Sequence, residues 1–182
     1  MTRINLVDPT HATGRTAEQL GEIKSAFGVV PNMFKAVANS PAALSSMWGA
    51  FGALGGGRLP PKLGEQIAVA IADRNDCHYC LAAHTALGRK AGATAQEMAE
   101  AQAGRSADPR TAAALAFATA VVDKRAGIEA ADVEALRQAG FDDGEIVEIV
   151  AHVALNLFTN YVNVALDVPL DFQKVKLTRA AA

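Results

Sequence analysis

Residues 61–91, PKLGEQIAVAIADRNDCHYCLAAHTALGRKA, decide the fold. Pro61 suits a first helical position, where its missing N–H does no harm, and Leu63, Ile67, Ala70 and Ile71 recur on one side of a helix. Asn75-Asp76 breaks that run, and Asp76 offers an N-cap for a second helix from Cys77 to about Ala91. Two helices joined by so short a turn fold back on each other, so this stretch predicts an antiparallel helical hairpin.

The flanking sequence extends the same pattern. A first helix is expected over about Ala17–Phe27, closed by Gly28, and a short one after Pro31 that buries Met33, Phe34 and Val37. Ser40-Pro41 caps and opens a third, stopped by Gly55-Gly56-Gly57. Beyond the hairpin, Thr94-x-x-Glu97 and Asp142-x-x-Glu145 each follow a glycine and form a capping arrangement. The repeated joint fits either two related hairpins or capping chemistry alone. Asp108-Pro109 starts an Ala-rich helix to about Lys124, Ala130–Gln138 a short one, and Glu145–Leu166 a long last one. Residues 1–16 read as an irregular lead-in and residues 170–182 as a loose tail, within one domain spanning residues 1–182.

Composition agrees with an all-α bundle. Thirty-nine of the 182 residues are Ala, which loses no side-chain entropy in a helix and lets helix axes approach closely, and only 5% are aromatic. With 51% apolar residues the chain can bury a full core without metal or disulfide staples. A net charge of −2 supplies no basic footprint for nucleic acid or anionic lipid. Without an apolar leader or a spanning segment, the expected location is cytoplasmic, with no membrane partner.

The last helix carries its polar residues on one line, Glu148, His152, Asn156, Asn160 and Asn163, between two apolar stripes. Such a helix is expected to sit inside the assembly. Its polar line reads as inter-helix hydrogen bonding or as a catalytic role for His152, the former being the plainer account. Its apolar surplus, with that of Thr111–Val122, predicts a homo-oligomer.

The two cysteines of the chain stand in one motif, Cys77-His78-Tyr79-Cys80, with His84 four residues on. A structural disulfide across so short a loop gains little and is disfavoured in the cytoplasm, whereas reversible redox chemistry suits the pair. At 100° per residue, positions 77, 80 and 84 share a helical face. His84 is one turn from Cys80 but two from Cys77, so it is placed to take the Cys80 proton or, as imidazolium, to stabilise the thiolate. Cys80 is then the reactive thiol and Cys77 the resolving one, condensing with a sulfenic acid at Cys80. A competing assignment makes Cys77, nearer the helix end, the more acidic. In an antiparallel hairpin Glu65 lies about 15 Å from the turn and His84 about 12 Å, so the two should be neighbours, and the carboxylate would fix the imidazole tautomer.

Glu65, eleven intervening residues, then Cys77-x-x-Cys80-x-x-x-His84 resembles the core motif of the alkylhydroperoxidase D family within the carboxymuconolactone decarboxylase superfamily. Val30–Phe34, the Ser40-Pro41 restart, Leu59–Glu65, Ala139-Gly140-Phe141 and the Asn156/Asn160 line extend the likeness to its peroxidase-related branch. The resemblance implies an all-α fold, trimers or hexamers, and a thiol peroxidase (peroxiredoxin-type) or disulfide reductase activity. It further implies a proton relay of Glu65, Cys77 and His84 that activates Cys80. Two positions depart from the family. Tyr79 stands where some members carry His, and Tyr161 where members often carry Arg. Tyr79 reads as a hydrogen-bond donor or a packing residue, and His78 as surface.

Zinc is the competing chemistry for Cys77, Cys80 and His84, but they supply three ligands where a closed site needs four. Lactone decarboxylation and a role as a non-catalytic redox-sensing oligomer also compete as functions for the chain. A thioredoxin-like fold would need a strand before Cys77, where the chain reads as helix. No residue cluster resembles a nucleotide, flavin or haem site, so no cofactor is expected, and reducing equivalents would come from a thiol carrier, protein or lipoyl.

Overall fold

A computed structural model describes residues 2–178. Among these the regular structure is helical: α1 (Gly14–Phe27), α2 (Asn32–Val37), α3 (Pro41–Gly55), α4 (Pro61–Arg74), α5 (His78–Lys90), α6 (Ala95–Gln102), α7 (Pro109–Asp123), α8 (Ala130–Gln138) and α9 (Asp143–Ala165). The expected caps form. Ser40 Oγ accepts from Ala43 N–H, Asp108 from Thr111 N–H, and Thr94/Glu97 and Asp142/Glu145 make reciprocal capping boxes. Each satisfies N–H groups that a helix start leaves without an internal partner.

The hairpin turn differs from expectation by one residue. Asp76 adopts φ +52°, a left-handed conformation that Asp tolerates better than most side chains. It therefore closes α4 rather than capping α5: Cys77 N–H bonds to Ala72 O at 2.9 Å and Asp76 N–H to Asp73 O at 3.4 Å, the Schellman pattern. Cys77 becomes the N-cap of α5, its sulfur accepting from Cys80 N–H at 3.3 Å.

Helix α4 is the centre of the bundle, packed against α5, α6, α7 and α9. Every residue from Gln66 to Asp73 is buried, because Ala68, Ala70 and Ala72 alternate with Ile67, Val69 and Ile71 and let neighbours close in on all sides. Helix α9 lies against α3, α4, α5 and α7 and buries Ile149, Val153, Leu155, Asn156, Asn160 and Asn163. Its other side is not covered by the described residues: Val147, Val150, Tyr161 and Val164 are exposed. Among the described residues no helix is long and apolar enough to cross a membrane.

The two ends need correction. The lead-in is irregular only to Thr13 and is tied down, Arg3 N–H bonding to Leu166 O at 2.9 Å and Val7 N–H to Lys35 O at 3.1 Å. The segment expected to be a loose tail packs on the bundle through residue 178, while residues 179–182 lie outside the described residues. Buried Asp73 accepts from Gln102 Nε2 (2.7 Å), Thr178 N–H (2.8 Å) and Thr178 Oγ1, and Leu177 is buried beside them. A carboxylate buried on α4 requires donors, and the tail supplies two of them.

Asp73→Ala should therefore destabilise the protein by about 1–3 kcal/mol, because it removes the acceptor that ties Gln102 and the C-terminal segment to α4. A lowered denaturant midpoint together with earlier proteolytic trimming of the C-terminal segment would be the measured outcome.

Candidate active site

The antiparallel α4/α5 contact places Glu65 and His84 together, as the turn-to-residue distances require. Glu65 Oε2 lies 2.7 Å from His84 Nδ1, with both side chains largely buried. Gly88, one turn beyond His84, permits this approach: a Cβ there would stand 3.3 Å from Glu65 Cβ and 2.5 Å from the Met98 thioether. Burial pulls His84 toward its neutral form, but the charge and hydrogen bond of Glu65, with the charge of Cys80, prevail and hold its pKa above the ordinary value.

Both cysteines are free thiols, 1–2% exposed. Burial alone would push the Cys80 thiol up. It is outweighed by the hydrogen bond from Cys77, the charge of His84 and the amide of Asn163, which bring Cys80 down to about 7. Asn163 Nδ2 donates directly to Cys80 Sγ at 3.1 Å. Cys77 moves the other way, its proton held by the hydrogen bond to Cys80 and by burial. The pair is thus polarised: Cys80 ionises around neutral pH while Cys77 keeps its proton. This favours Cys80 over the competing assignment, since an N-cap sulfur that spends its proton on its neighbour cannot also be the more acidic one.

Cys80 and His84 line a common cavity of about 40 Å³ with Phe27, Phe34, Phe51 and Phe172 among its walls. A water needs roughly 10–15 Å³ in this measure, so the space takes two or three water-sized groups. The aromatic residues of the chain concentrate here, Phe34 meeting the Trp48 ring edge-on at 5.8 Å and Phe27 at the same centroid distance. Cys77 faces a different space, a cavity of about 350 Å³ shared with Asp76, His78 and Lys174. Tyr79 walls off one from the other. It both packs and hydrogen-bonds: Oη donates to Asp171 Oδ2 at 2.5 Å and accepts from Met33 N–H at 3.3 Å, while Asp171 also receives Asn32 N–H. His78 is exposed, as the sequence suggested.

The structure thus gathers Glu65, His84, Cys80 and Cys77. It adds Asn163, seen in the sequence as part of a polar line but without its sulfur partner, and Asp171, on a segment read as loose. An Asn at helical spacing on an otherwise apolar helix was the available signal for the first; nothing local marks the second. The polar line of α9 is also less satisfied than expected, with Asn156 Oδ1, Asn160 Nδ2, Asn163 Oδ1 and His152 Nε2 buried and without a hydrogen-bond partner. Among the described residues no group of three or more His, Cys, Asp or Glu could hold a metal ion.

Residues 41–124, which include the whole hairpin, match the carboxymuconolactone decarboxylase family. Over that stretch, and through structural neighbours that cover nearly its whole length, the chain is similar to the alkylhydroperoxidase D-like side of the carboxymuconolactone decarboxylase superfamily. An uncharacterized peroxidase-related protein from Silicibacter sp. TM1040 is 29% identical and superposes with a TM-score of 0.80, covering 92% of this chain and 91% of that one. An uncharacterized peroxidase-related protein with an alkylhydroperoxidase AhpD core, from Ralstonia eutropha JMP134, is 26% identical with a TM-score of 0.86, covering 93% and 92%. The debrominase Bmp8 shares the fold at 19% identity and a TM-score of 0.80, covering 94% and 92%. No curated protein matches the chain significantly.

Alkylation of Cys80 by iodoacetamide should be half-maximal near pH 7 in the wild-type protein. Removing the imidazolium (His84→Ala) or the amide donor (Asn163→Leu) withdraws support from the thiolate, so each should raise that midpoint, by about one unit for His84.

Proposed function

We propose that this protein is a thiol-dependent peroxidase of the superfamily, reducing small organic hydroperoxides with Cys80 as the attacking thiolate. The polarised dithiol carries this reading: one sulfur that ionises around neutral pH beside a small apolar cavity, the other still protonated next to it. The Cys80 thiolate attacks the terminal peroxide oxygen, the O–O bond breaks, and the departing alkoxide takes a proton from the His84 imidazolium that Glu65 holds in place. Cys80 becomes a sulfenic acid. Cys77 then attacks it, its proton leaves with the hydroxyl group as water, and a Cys77–Cys80 disulfide forms. A dithiol carrier returns both sulfurs to the reduced state. Such a cycle belongs in a reducing compartment, the cytoplasm by this reading.

The exposed apolar row of α9, Val147, Val150, Tyr161 and Val164, supports a homo-oligomer in which a second copy covers that side, a trimer or hexamer by family likeness.

With a hydroperoxide and excess dithiol, the wild-type protein should turn over and Cys80→Ser should match the enzyme-free control. His84→Ala should be slower by roughly 10²-fold at neutral pH and recover toward higher pH, where the thiol ionises unaided. Equal rates in all three would remove the peroxidase reading. Light scattering of the wild type should give a multiple of 18.9 kDa, and Val147→Glu should reduce it.

A further inference from the structure

Behind the Glu65–His84 pair lies another cavity, of about 180 Å³, whose mouth is at the exposed Gly55, Pro60 and Pro61. His84 lines both this space and the Cys80 cavity, so the imidazole forms part of the partition between them. The polar residues facing His84 and Glu65 across the rear cavity are His152 and Asn156, one turn apart on α9. Asn156 is 4% exposed; its Nδ2 is used on the His152 carbonyl at 2.8 Å, and its Oδ1 is buried without a partner. His152 Nε2 is likewise buried and unpartnered. The ring is held against α4, where a Cβ on Gly64 would come within 3.2 Å of its Cε1. Two buried, unpaired polar atoms one turn apart, on residues that share the cavity wall with Glu65 and His84, call for a hydrogen-bond partner that ordered water can supply.

The proposed peroxidase cycle, on which this inference rests, has a proton debt. Each turnover sends the His84 proton out on the alkoxide. The dithiol that reduces the disulfide attacks as a thiolate and has left its own proton in bulk solvent. Its second thiol, closing the carrier's disulfide, hands its proton to Cys77. Cys80 is therefore released as a thiolate beside an unprotonated His84, and one proton per cycle must come back from solvent. The Cys80 cavity is a poor route, being lined almost wholly by apolar groups.

We propose that the rear cavity is the proton port of the site, where water held by His152 and Asn156 returns that proton to the Glu65–His84 pair. His152 touches neither sulfur nor substrate, so it is a positioning residue. The charged and titratable groups facing it are Glu148, Glu65 and His84. Burial keeps it inclined to the neutral form, as a group that must pass a proton on requires.

The test uses the full-length protein, reduced beforehand and equilibrated so that the relay starts charged. His152→Ala should react with its first equivalent of hydroperoxide at the wild-type rate, then show a steady-state rate lower by about 10-fold, a burst absent from wild type. Added imidazole should restore the steady rate. Asn156→Leu, which dries the cavity without opening it, should give the burst without the rescue. First and later turnovers slowed alike, or a missing rescue in His152→Ala, would overturn the port. If the wild type consumes no hydroperoxide, the peroxidase reading fails and the port is still tested, by ultraviolet thiolate absorbance after a downward pH jump. Re-protonation of Cys80 slowed in His152→Ala and restored by imidazole would sustain it; re-protonation unchanged would sink it.

Discussion

The close antiparallel contact of α4 with α5 is the constraint on which the site depends. It requires small residues along α4, a glycine at Gly88, and a turn tight enough to return the chain in three residues. Asp76 supplies the turn by entering the left-handed region, which places Cys77 at the head of α5 with its sulfur over the Cys80 N–H. The same geometry sets Glu65 against His84 at 2.7 Å. One local packing decision thus positions the dithiol, the imidazole and the carboxylate at once, without any of them lying on a flexible loop.

Around that hairpin the remaining helices act on its chemistry from different sides. Helices α2 and α3 bring the aromatic walls that keep the space at Cys80 narrow and dry. Helix α9 brings the Asn163 amide to the sulfur at one end and His152 and Asn156 behind the Glu65–His84 pair nearer its start. The segment after α9 closes the roof through Phe172 and the Asp171–Tyr79 hydrogen bond. Burying a thiolate is costly, and here the cost is offset by an opposite charge and by hydrogen bonds that have no better partner. The polarisation of the two sulfurs follows from that asymmetry: the Asn163 amide and the charge of His84 favour the Cys80 thiolate, and the Cys77 proton is held by the hydrogen bond to it.

The likeness to the superfamily accompanies the fold and the motif, and a shared scaffold does not by itself select a reaction. What distinguishes one chemistry from another on it is the lining of the spaces around the dithiol. In this chain, Tyr79 occupies the position before the second cysteine and anchors the C-terminal strap rather than joining a proton relay. His84 and Glu65 pair with each other, with the rear cavity beside them.

The amino-acid sequence by itself determined the helices, their caps and the alignment of Cys77, Cys80, His84 and Glu65. Those follow from short-range rules: 3.6 residues per turn, side chains that cap helix starts, and the reversal forced by a short turn. It misplaced the cap at Asp76 by one residue because a left-handed φ is chosen by the turn as a whole and not by the Asp side chain. It read residues 170–178 as loose because their anchors, Asp73 and Tyr79, are roughly ninety to a hundred positions away in the chain and no local pattern announces them. Likewise the partner of Asn163, the two separate cavities at the two sulfurs and the empty hydrogen-bonding atoms of His152 and Asn156 arise only when α9 crosses the hairpin. Those features are long-range by nature: burial and proximity between distant segments are set by how whole helices pack, and packing leaves little trace in any single stretch of sequence.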